Sequence, residues 1–173
     1  MQAVDIFVQT YLSNIHTSTL TIFMLVVTNI FEVIPLGLII ILVSILIYYK
    51  KGLKNSLFFI FTIGLGEALV LFFKIVFDVN RPLNGFILET SKSFPSNHAT
   101  IATIFFIMLI YFFSKDFRGV FRTFFNTCCV LMIFAVSFSR LYLGVHWLSD
   151  VLAGIILGIL TVYVAIKIGR SKL

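Results

Sequence analysis

Five long apolar blocks dominate the chain, and short polar or charged stretches separate them. An α-helix needs about 17 to 25 apolar residues to cross the hydrocarbon core of a bilayer. The blocks lie at about 33–49, 57–77, 96–113, 121–138 and 147–168. We therefore predict an all-α integral membrane protein with a bundle of about five transmembrane helices. Six helices would result if the N-terminal segment also spans.

The N-terminal segment, 1–31, is apolar but repeatedly interrupted by polar side chains. Its cleanest apolar run, 20–27, is far shorter than a membrane span requires. We expect one or two interfacial helices that lie along the membrane surface. The alternative is a sixth span that ends near Phe31. On either interpretation 1–173 is a single membrane domain, in which the transmembrane bundle occupies 32–173.

The composition agrees with a membrane location. The chain is 60% hydrophobic and 12% charged, with a mean hydropathy of +1.11, whereas soluble domains have about 25% charged residues. The two cysteines, Cys128 and Cys129, are adjacent in an apolar run, which favours buried packing over a disulfide or a metal site. The net charge of +6 arises largely beside the predicted spans. We therefore expect no nucleic-acid partner.

The basic residues predict the orientation. Nine of the thirteen fall on one side of the predicted bundle: Lys50, Lys51, Lys54, Lys115, Arg118, Arg122, Lys167, Arg170 and Lys172. The positive-inside rule makes that side cytoplasmic. The opposite side receives the other polar residues of interest: Lys74, Arg81, Lys92, His98, Arg140, His146 and Asp150. The polar chemistry is therefore expected at the outer face of the membrane, at the depth of the lipid headgroups.

Three segments meet at that outer face. The stretch 74–82 ends the second span, 95–98 opens the third, and 139–150 connects the fourth to the fifth. The N-terminus of a helix presents unpaired N–H groups and a partial positive charge. The third and fifth spans therefore offer an anion site at Ser96 and near His146.

The charges at this face favour phosphate. Lys74, Arg81 and Arg140 supply three positive side chains against one local carboxylate, Asp150. Such an excess suits a dianionic phosphate, whose oxygens guanidinium groups bind two at a time.

His146 and Asp150 are four residues apart, so they share one face of a helix. A carboxylate that holds one ring nitrogen leaves the other free to act as a nucleophile or base. His98, from another helix, is placed to protonate a departing oxygen. Two alternatives are a structural His–Asp hydrogen bond and a zinc site formed by His98, His146 and Asp150. The three neighbouring cations would repel a divalent metal.

Together the segments read Lys-x6-Arg-Pro, then Pro-Ser-x-His, then Ser-Arg-x5-His-x3-Asp. This pattern resembles that of the type 2 phosphatidic acid phosphatase (PAP2) family, in its membrane lipid phosphatase branch. Vanadium-dependent haloperoxidases belong to the same family. The matching residues are Lys74, Arg81, Pro82, Pro95, Ser96, His98, Ser139, Arg140, His146 and Asp150.

The resemblance implies that His146 is a nucleophile that forms a phosphohistidine, that Asp150 orients it, and that His98 is the general acid. It implies no metal and no cofactor. The residues implied to bind the phosphoryl group are Lys74, Arg81, Ser96, Asn97 and Arg140. The family usually has Gly at the position of Asn97. The backbone N–H of Asn97 still suits phosphate, and its side chain narrows the pocket, which leaves the substrate choice open.

We therefore predict a metal-independent lipid phosphatase whose partners are the bilayer and a membrane lipid phosphate. On the basis of the resemblance we expect it in a bacterial inner membrane, with its site toward the periplasm. The candidate substrates are lipid A 1-phosphate, which we favour, phosphatidylglycerol phosphate and undecaprenyl pyrophosphate. The alternatives are a haloperoxidase-like vanadate site and a lipid-binding or lipid-transport protein with a degenerate site. The intact ten-residue pattern counts against degeneracy. The sequence does not indicate the oligomeric state.

Two features inside the spans add expectations. Glu67 lies two helical turns deeper than Lys74 on about the same face, and we expect it to make a polar contact in the bundle or to line a lipid-access groove. Gly154 and Gly158 form a small-xxx-small pair, which predicts close packing of the fifth span against another helix.

Overall fold

The computed structural model describes residues 2–83 and 85–171, with the backbone alone for Gln2, Arg170 and Ser171. Lys172, assigned above to the cytoplasmic side, lies outside the described residues. The described chain forms seven α-helices: α1 (Gln2–Ser13), α2 (Ser18–Asn29), α3 (Val33–Lys51), α4 (Leu53–Phe77), α5 (Asn97–Phe113), α6 (Gly119–Tyr142) and α7 (Leu148–Ser171).

Five of these helices, α3 to α7, are long and apolar enough to cross a membrane. The helices α1 and α2 have 12 residues each, which is too few for a span. Thr17 separates them, and its side chain caps α2 by accepting a hydrogen bond from the Leu20 N–H. The predicted fold class of five spanning helices and short N-terminal helices is confirmed, and the sixth span ending near Phe31 does not form within 2–31.

The central helix of the bundle is α5, which packs against α4, α6 and α7. Its side chains Ile104 and Met108 are fully buried. The predicted close packing at the two glycines of α7 occurs here. A Cβ atom added at Gly154 would lie 2.7 Å from the Ser96 carbonyl oxygen, and one at Gly158 would lie 2.7 Å from Thr103 Cβ. The glycines therefore allow the N-terminal ends of α5 and α7 to lie side by side.

The connection from α4 to α5 folds back over the start of α7. The helix α4 ends at Phe77, and the C-cap residue that follows, Asp78, has a left-handed backbone with φ 46°. Two backbone hydrogen bonds then attach the connection to the corner between α6 and α7. The Phe86 N–H donates to the Leu143 carbonyl at 2.9 Å, and the Ser96 N–H donates to the Asp150 carbonyl at 3.1 Å.

The N-terminal helices contact the same corner. The Asp5 carboxylate in α1 accepts hydrogen bonds from Ser149 N–H at 2.8 Å and from Ser149 Oγ at 2.9 Å. The His16 Nε2 atom lies 2.8 Å from the Tyr142 carbonyl oxygen. The Tyr142 hydroxyl in turn accepts from the Thr17 N–H at 3.1 Å. The first two helices are thus attached to the corner that carries His146 and Asp150.

Candidate active site

A cavity of about 470 Å³ opens where α4 ends and α5 begins. Its polar wall contains six of the predicted site residues: Lys74, Arg81, Asn97, His98, Arg140 and His146. The other two, Ser96 and Asp150, are fully buried. Ser96 precedes the cavity-lining Asn97 in the chain, and Asp150 lies next to His146. The structure therefore brings the three segments of the motif together.

His146 is buried, with its two ring nitrogens in different surroundings. Nδ1 lies 3.4 Å from Asp150 Oδ2, whereas Nε2 lies 3.1 Å from Arg81 Nη1. A guanidinium can only donate, so Nε2 accepts and the proton belongs on Nδ1, toward the carboxylate. The Trp147 N–H also donates to Asp150 Oδ2 at 2.9 Å. The Nε2 lone pair therefore faces Arg81, on the side of the ring away from Asp150.

Burial and the neighbouring cations keep His146 neutral. Burial is the largest cause that lowers the pKa of His146 well below 6.5, and the charges of Arg81, Arg140 and Lys74 lower it further. The imidazole is therefore the free base at neutral pH. A neutral imidazole has the lone pair that nucleophilic attack requires.

Ser93 is a contact that the sequence did not reveal. Its hydroxyl donates to Asp150 Oδ2 and lies 3.3 Å from His146 Nδ1, and the residue is fully buried. It belongs to the irregular connection between α4 and α5, where no periodic pattern marks inward-facing positions. The carboxylate of Asp150 is thus held by a hydroxyl as well as by a backbone N–H.

The two arginines share an acidic partner, Glu89, that the sequence analysis also missed. Glu89 Oε2 lies 3.4 Å from Arg81 Nη2, and Glu89 Oε1 accepts a hydrogen bond from Arg140 Nη2. Burial alone would raise the pKa of Glu89, but the charges of Arg140 and Arg81 outweigh it and the pKa is lowered. Glu89 is therefore ionised at neutral pH. The prediction of a single local carboxylate, Asp150, is wrong, because the irregular connection after α4 folds Glu89 onto both arginines.

Arg140 and Lys74 also form hydrogen bonds with other residues of the chain. Arg140 has no exposed surface, and its Nη1 donates to the Thr28 hydroxyl of α2 at 2.6 Å. The Lys74 ammonium donates to the Lys92 carbonyl in the connection between α4 and α5. These contacts hold both cations at the cavity wall.

The start of α5 contributes His98 and its neighbours. His98 is 9% exposed, and its Nε2 lies 3.4 Å from Glu32 Oε1 at the start of α3. The Ser96 hydroxyl oxygen is buried and has no hydrogen-bond partner among the described residues. The Asn97 amide group donates to Glu67 Oε1 at 3.3 Å, so the expected polar contact of Glu67 inside the bundle is present.

The alternative zinc site finds no support in this arrangement. Among the described residues no three His, Cys, Asp or Glu side chains converge as metal ligands. His98 Nε2 lies beside Glu32, whereas His146 Nε2 lies beside Arg81. The two imidazoles therefore have different neighbours, and one of those neighbours is a cation.

The family assignment rests on about two thirds of the sequence. Residues 55–172 match the model of the PAP2 superfamily. The chain belongs to the PAP2 superfamily. This confirms the family that the three-segment pattern resembles, and the matched region begins in α4 and includes all three segments.

Two relatives are 30% and 31% identical to this chain. Phosphatidylglycerophosphatase B of Bacillus subtilis (strain 168) is 30% identical over 128 residues, which cover 72% of this chain and 63% of the relative. Undecaprenyl-diphosphatase of Sulfolobus acidocaldarius is 31% identical over 126 residues, 69% of this chain and 55% of the relative. The match thus spans less than two thirds of the length of either relative.

Solved structures of PAP2 proteins share the fold. A transmembrane PAP2-type phosphatidylglycerolphosphate phosphatase from Bacillus subtilis superimposes with a TM-score of 0.84 at 22% identity, over 98% of this chain and 86% of that one. The LpxE structure from Aquifex aeolicus gives 0.71 at 20% identity, over 94% of each chain. The likeness extends beyond 55–172 to the N-terminal helices, because nearly the whole chain superimposes.

Proposed function

We propose that the protein is a metal-independent lipid phosphate phosphatase and that the whole chain, 1–173, forms one phosphatase domain. The observation that carries the proposal is the neutral His146, with Asp150 behind Nδ1 and the Arg81 guanidinium beside Nε2. A nucleophile next to a fixed cation suits attack on an anionic phosphorus centre. The family membership supports the same reaction class.

The proposed reaction has two steps. His146 Nε2 attacks phosphorus, the bond to the leaving oxygen breaks, and His98 protonates that oxygen. Water then attacks the phosphohistidine, His98 takes a proton from that water, and the bond between His146 Nε2 and phosphorus breaks to release inorganic phosphate. Asp150 balances the charge that develops on the imidazole during each step.

The anion-binding residues have a separate role in the proposal. Lys74, Arg81, Arg140, the Ser96 hydroxyl and the Asn97 N–H bind the phosphoryl oxygens and stabilise the charge in the transition state. This electrostatic work needs no metal ion, because three side-chain cations already surround the site. Arg81 and Arg140 are well suited to it because their guanidiniums already hold a carboxylate.

The shape of the cavity supports a lipid substrate. Beyond the polar wall the lining becomes apolar, with Leu36, Ile40, Ile63 and Leu71 from α3 and α4. A phosphate bound at the arginines would leave its tail against these side chains. Lipid A 1-phosphate, phosphatidylglycerol phosphate and undecaprenyl pyrophosphate are the candidate substrates, and the names of two relatives correspond to the last two.

The basic residues support a location in a bacterial inner membrane with the active site toward the periplasm. Eight of the nine residues assigned to the cytoplasmic side belong to the described chain, and they lie at the α3–α4 turn, the α5–α6 turn and the end of α7. Those three places are at the opposite end of the spans from His146. The positive-inside rule then directs the cavity outward.

Phosphate release by the purified protein from a lipid panel tests the proposal. We expect release from at least one of the three candidate lipids in the presence of EDTA, and none from His146→Ala. Activity that EDTA abolishes and zinc restores would contradict the metal-free reaction. Lipid binding without release by the wild-type protein would favour a lipid-binding or transport protein.

The proposed role of His98 as the general acid can be tested separately. Loss of His98 should slow hydrolysis of lipid phosphates much more than hydrolysis of an aryl phosphate, because an alkoxide leaves poorly without a proton and a phenolate leaves without one. Equal losses for both substrates in His98→Ala would argue against this role.

A further inference from the structure

The cavity wall carries a second polar pair, Glu67 and Asn97, whose side chains take no part in the reaction proposed above. Glu67 lies on α4, two turns deeper than Lys74, and Asn97 is the first residue of α5. The Asn97 Nδ2 atom donates to Glu67 Oε1 at 3.3 Å, and both residues line the cavity. The pair therefore faces the same space as the proposed nucleophile.

Both side chains of the pair retain unused hydrogen-bond acceptors. Only the NH₂ end of an amide can donate to a carboxylate, so the Asn97 Oδ1 atom points away from Glu67. That oxygen is buried and lacks a partner among the described residues. Within the described chain Glu67 has no ion pair, and its second oxygen accepts no hydrogen bond. The pair therefore has acceptors to which a hydrogen-bond donor of a ligand could bind.

The position of the pair defines which part of a lipid it meets. His146 and the two arginines form the phosphate end of the cavity, whereas Ile63 and Leu71 contribute to the apolar part. Glu67 lies between Ile63 and Leu71 along α4. A lipid with its phosphate at His146 and its chains along α4 passes Glu67 with the atoms next to its phosphoester.

We propose that Glu67 and Asn97 select lipid phosphates whose alcohol portion donates hydrogen bonds next to the phosphoester, through hydroxyl or amide N–H groups. Phosphates on a sugar, or on a glycerol that keeps a free hydroxyl, carry such donors. Prenyl phosphates and diacylglycerol phosphate carry none there, so their binding leaves the two acceptors unpaired, which is costly away from water. This inference rests on the proposed phosphatase function and narrows its substrate class.

A pair of two-chain phosphomonoesters tests the selection: ceramide 1-phosphate, which has an amide N–H and a hydroxyl, and phosphatidic acid of matched chain length, which has neither. The readout is the ratio of kcat/KM for the two lipids. We expect the wild-type protein to favour ceramide 1-phosphate by about tenfold or more, because hydrogen bonds to charged acceptors are the stronger ones. In Glu67→Leu the ratio should fall several-fold, toward one, because only the Asn97 acceptor remains.

Two further variants keep the test decisive. Glu67→Gln retains one acceptor and nearly the same volume, so it should give an intermediate ratio, and it replaces Glu67→Leu if that variant does not fold. Asp116→Asn is the matched control, because it removes a carboxylate that pairs with Lys51 at 2.6 Å at the opposite end of the bundle. We expect it to keep the wild-type ratio.

A wild-type ratio near one, or a ratio that Glu67→Leu and Glu67→Gln leave unchanged, would overturn the inference. Failure to release phosphate from any lipid would instead contradict the proposed phosphatase. Selection is then read from binding of the same two lipids by native mass spectrometry. Tighter binding of ceramide 1-phosphate that Glu67→Gln reduces would sustain the selection, and equal binding would overturn it.

Discussion

Glu89 makes a substrate-like contact with the two arginines of the site. Its carboxylate oxygens lie against the same guanidiniums, Arg81 and Arg140, that are proposed to bind phosphate. A carboxylate and a phosphate offer a guanidinium the same kind of anionic acceptor. A bound phosphate therefore has to displace Glu89 or share the arginines with it.

We expect Glu89→Gln to lower KM for the lipid substrate and the inhibition constant of inorganic phosphate by roughly three- to tenfold, because a neutral amide competes less well for the guanidiniums. Steady-state kinetics with phosphate as inhibitor measure both constants. Asp78→Asn is the matched control, since it removes a carboxylate that pairs with Lys92 at 2.7 Å in the same connection. Weaker phosphate inhibition in Glu89→Gln would contradict the competition.

The buried neutral His146 also predicts how stability depends on pH. In the unfolded chain His146 titrates near 6.5, and in the folded protein it titrates at much lower pH. Between these two pKa values the unfolded state binds one more proton at His146. The contribution of His146 to the free energy of unfolding therefore falls as the pH drops below 6.5 and is constant above it.

Replacement of His146 by Gln should remove that dependence. We expect the wild-type protein to lose about 1 kcal/mol more than His146→Gln when the pH falls from about 6.5 to about 5.5. Denaturant unfolding in detergent at several pH values measures the difference. Parallel pH curves for the two proteins would show that His146 is not buried as the neutral form.

At the scale of single residues, motif residues could be predicted and their partners could not. Lys74, His98 and His146 stand in fixed spacings within short segments, so the sequence indicates them directly. Glu89 and Ser93 have no such spacing and lie in an irregular connection. Their contacts arise only when that connection folds over α7.

At the scale of elements, α1 is attached to the start of α7 through Asp5. The Asp5 carboxylate is 8% exposed and accepts two hydrogen bonds from Ser149, which precedes Asp150. A carboxylate at a helix N-terminus satisfies an unpaired N–H and interacts favourably with the helix dipole. Asp5 therefore fixes the first turn of α7 relative to α1.

We expect Asp5→Ala to lower the free energy of unfolding by about 1 to 2 kcal/mol and to reduce kcat, because the turn that carries Asp150 is less firmly held. Thermal unfolding and phosphate release measure the two effects. Thr10→Ala on the same helix is the control, as its hydroxyl bonds only to the exposed Ile6 carbonyl. If both variants behave alike, α1 has no specific role at the site.

Hydropathy predicted the spanning helices well and their ends less well. The second predicted span began at about residue 57, whereas α4 begins at Leu53, because a helix continues through polar residues such as Lys54 that lower the mean hydropathy. The close packing at Gly154 was predictable because two small residues four apart share a helix face. The path of the α4–α5 connection was not, since it depends on contacts with α6 and α7.

At the scale of the whole molecule, the proposed orientation can be tested with single cysteines in a variant that lacks Cys128 and Cys129. We expect Lys92→Cys to react with a membrane-impermeant maleimide in intact cells, because residue 92 lies at the end of the bundle that contains the cavity. Lys54→Cys, at the exposed start of α4, should react only after lysis. The reverse pattern would place the cavity on the cytoplasmic side.

The attachment of the N-terminal helices has a consequence for biogenesis. Thr28 binds Arg140 and Asp5 binds Ser149, across 112 and 144 residues of chain. The ribosome therefore makes α1 and α2 first, yet their partners emerge only with the last two spans. The helices α1 and α2 can form these contacts only after α6 and α7 have inserted. Contacts between residues so far apart in the chain form slowly. An insertion intermediate that lacks α7 thus carries most of the bundle but no complete active site.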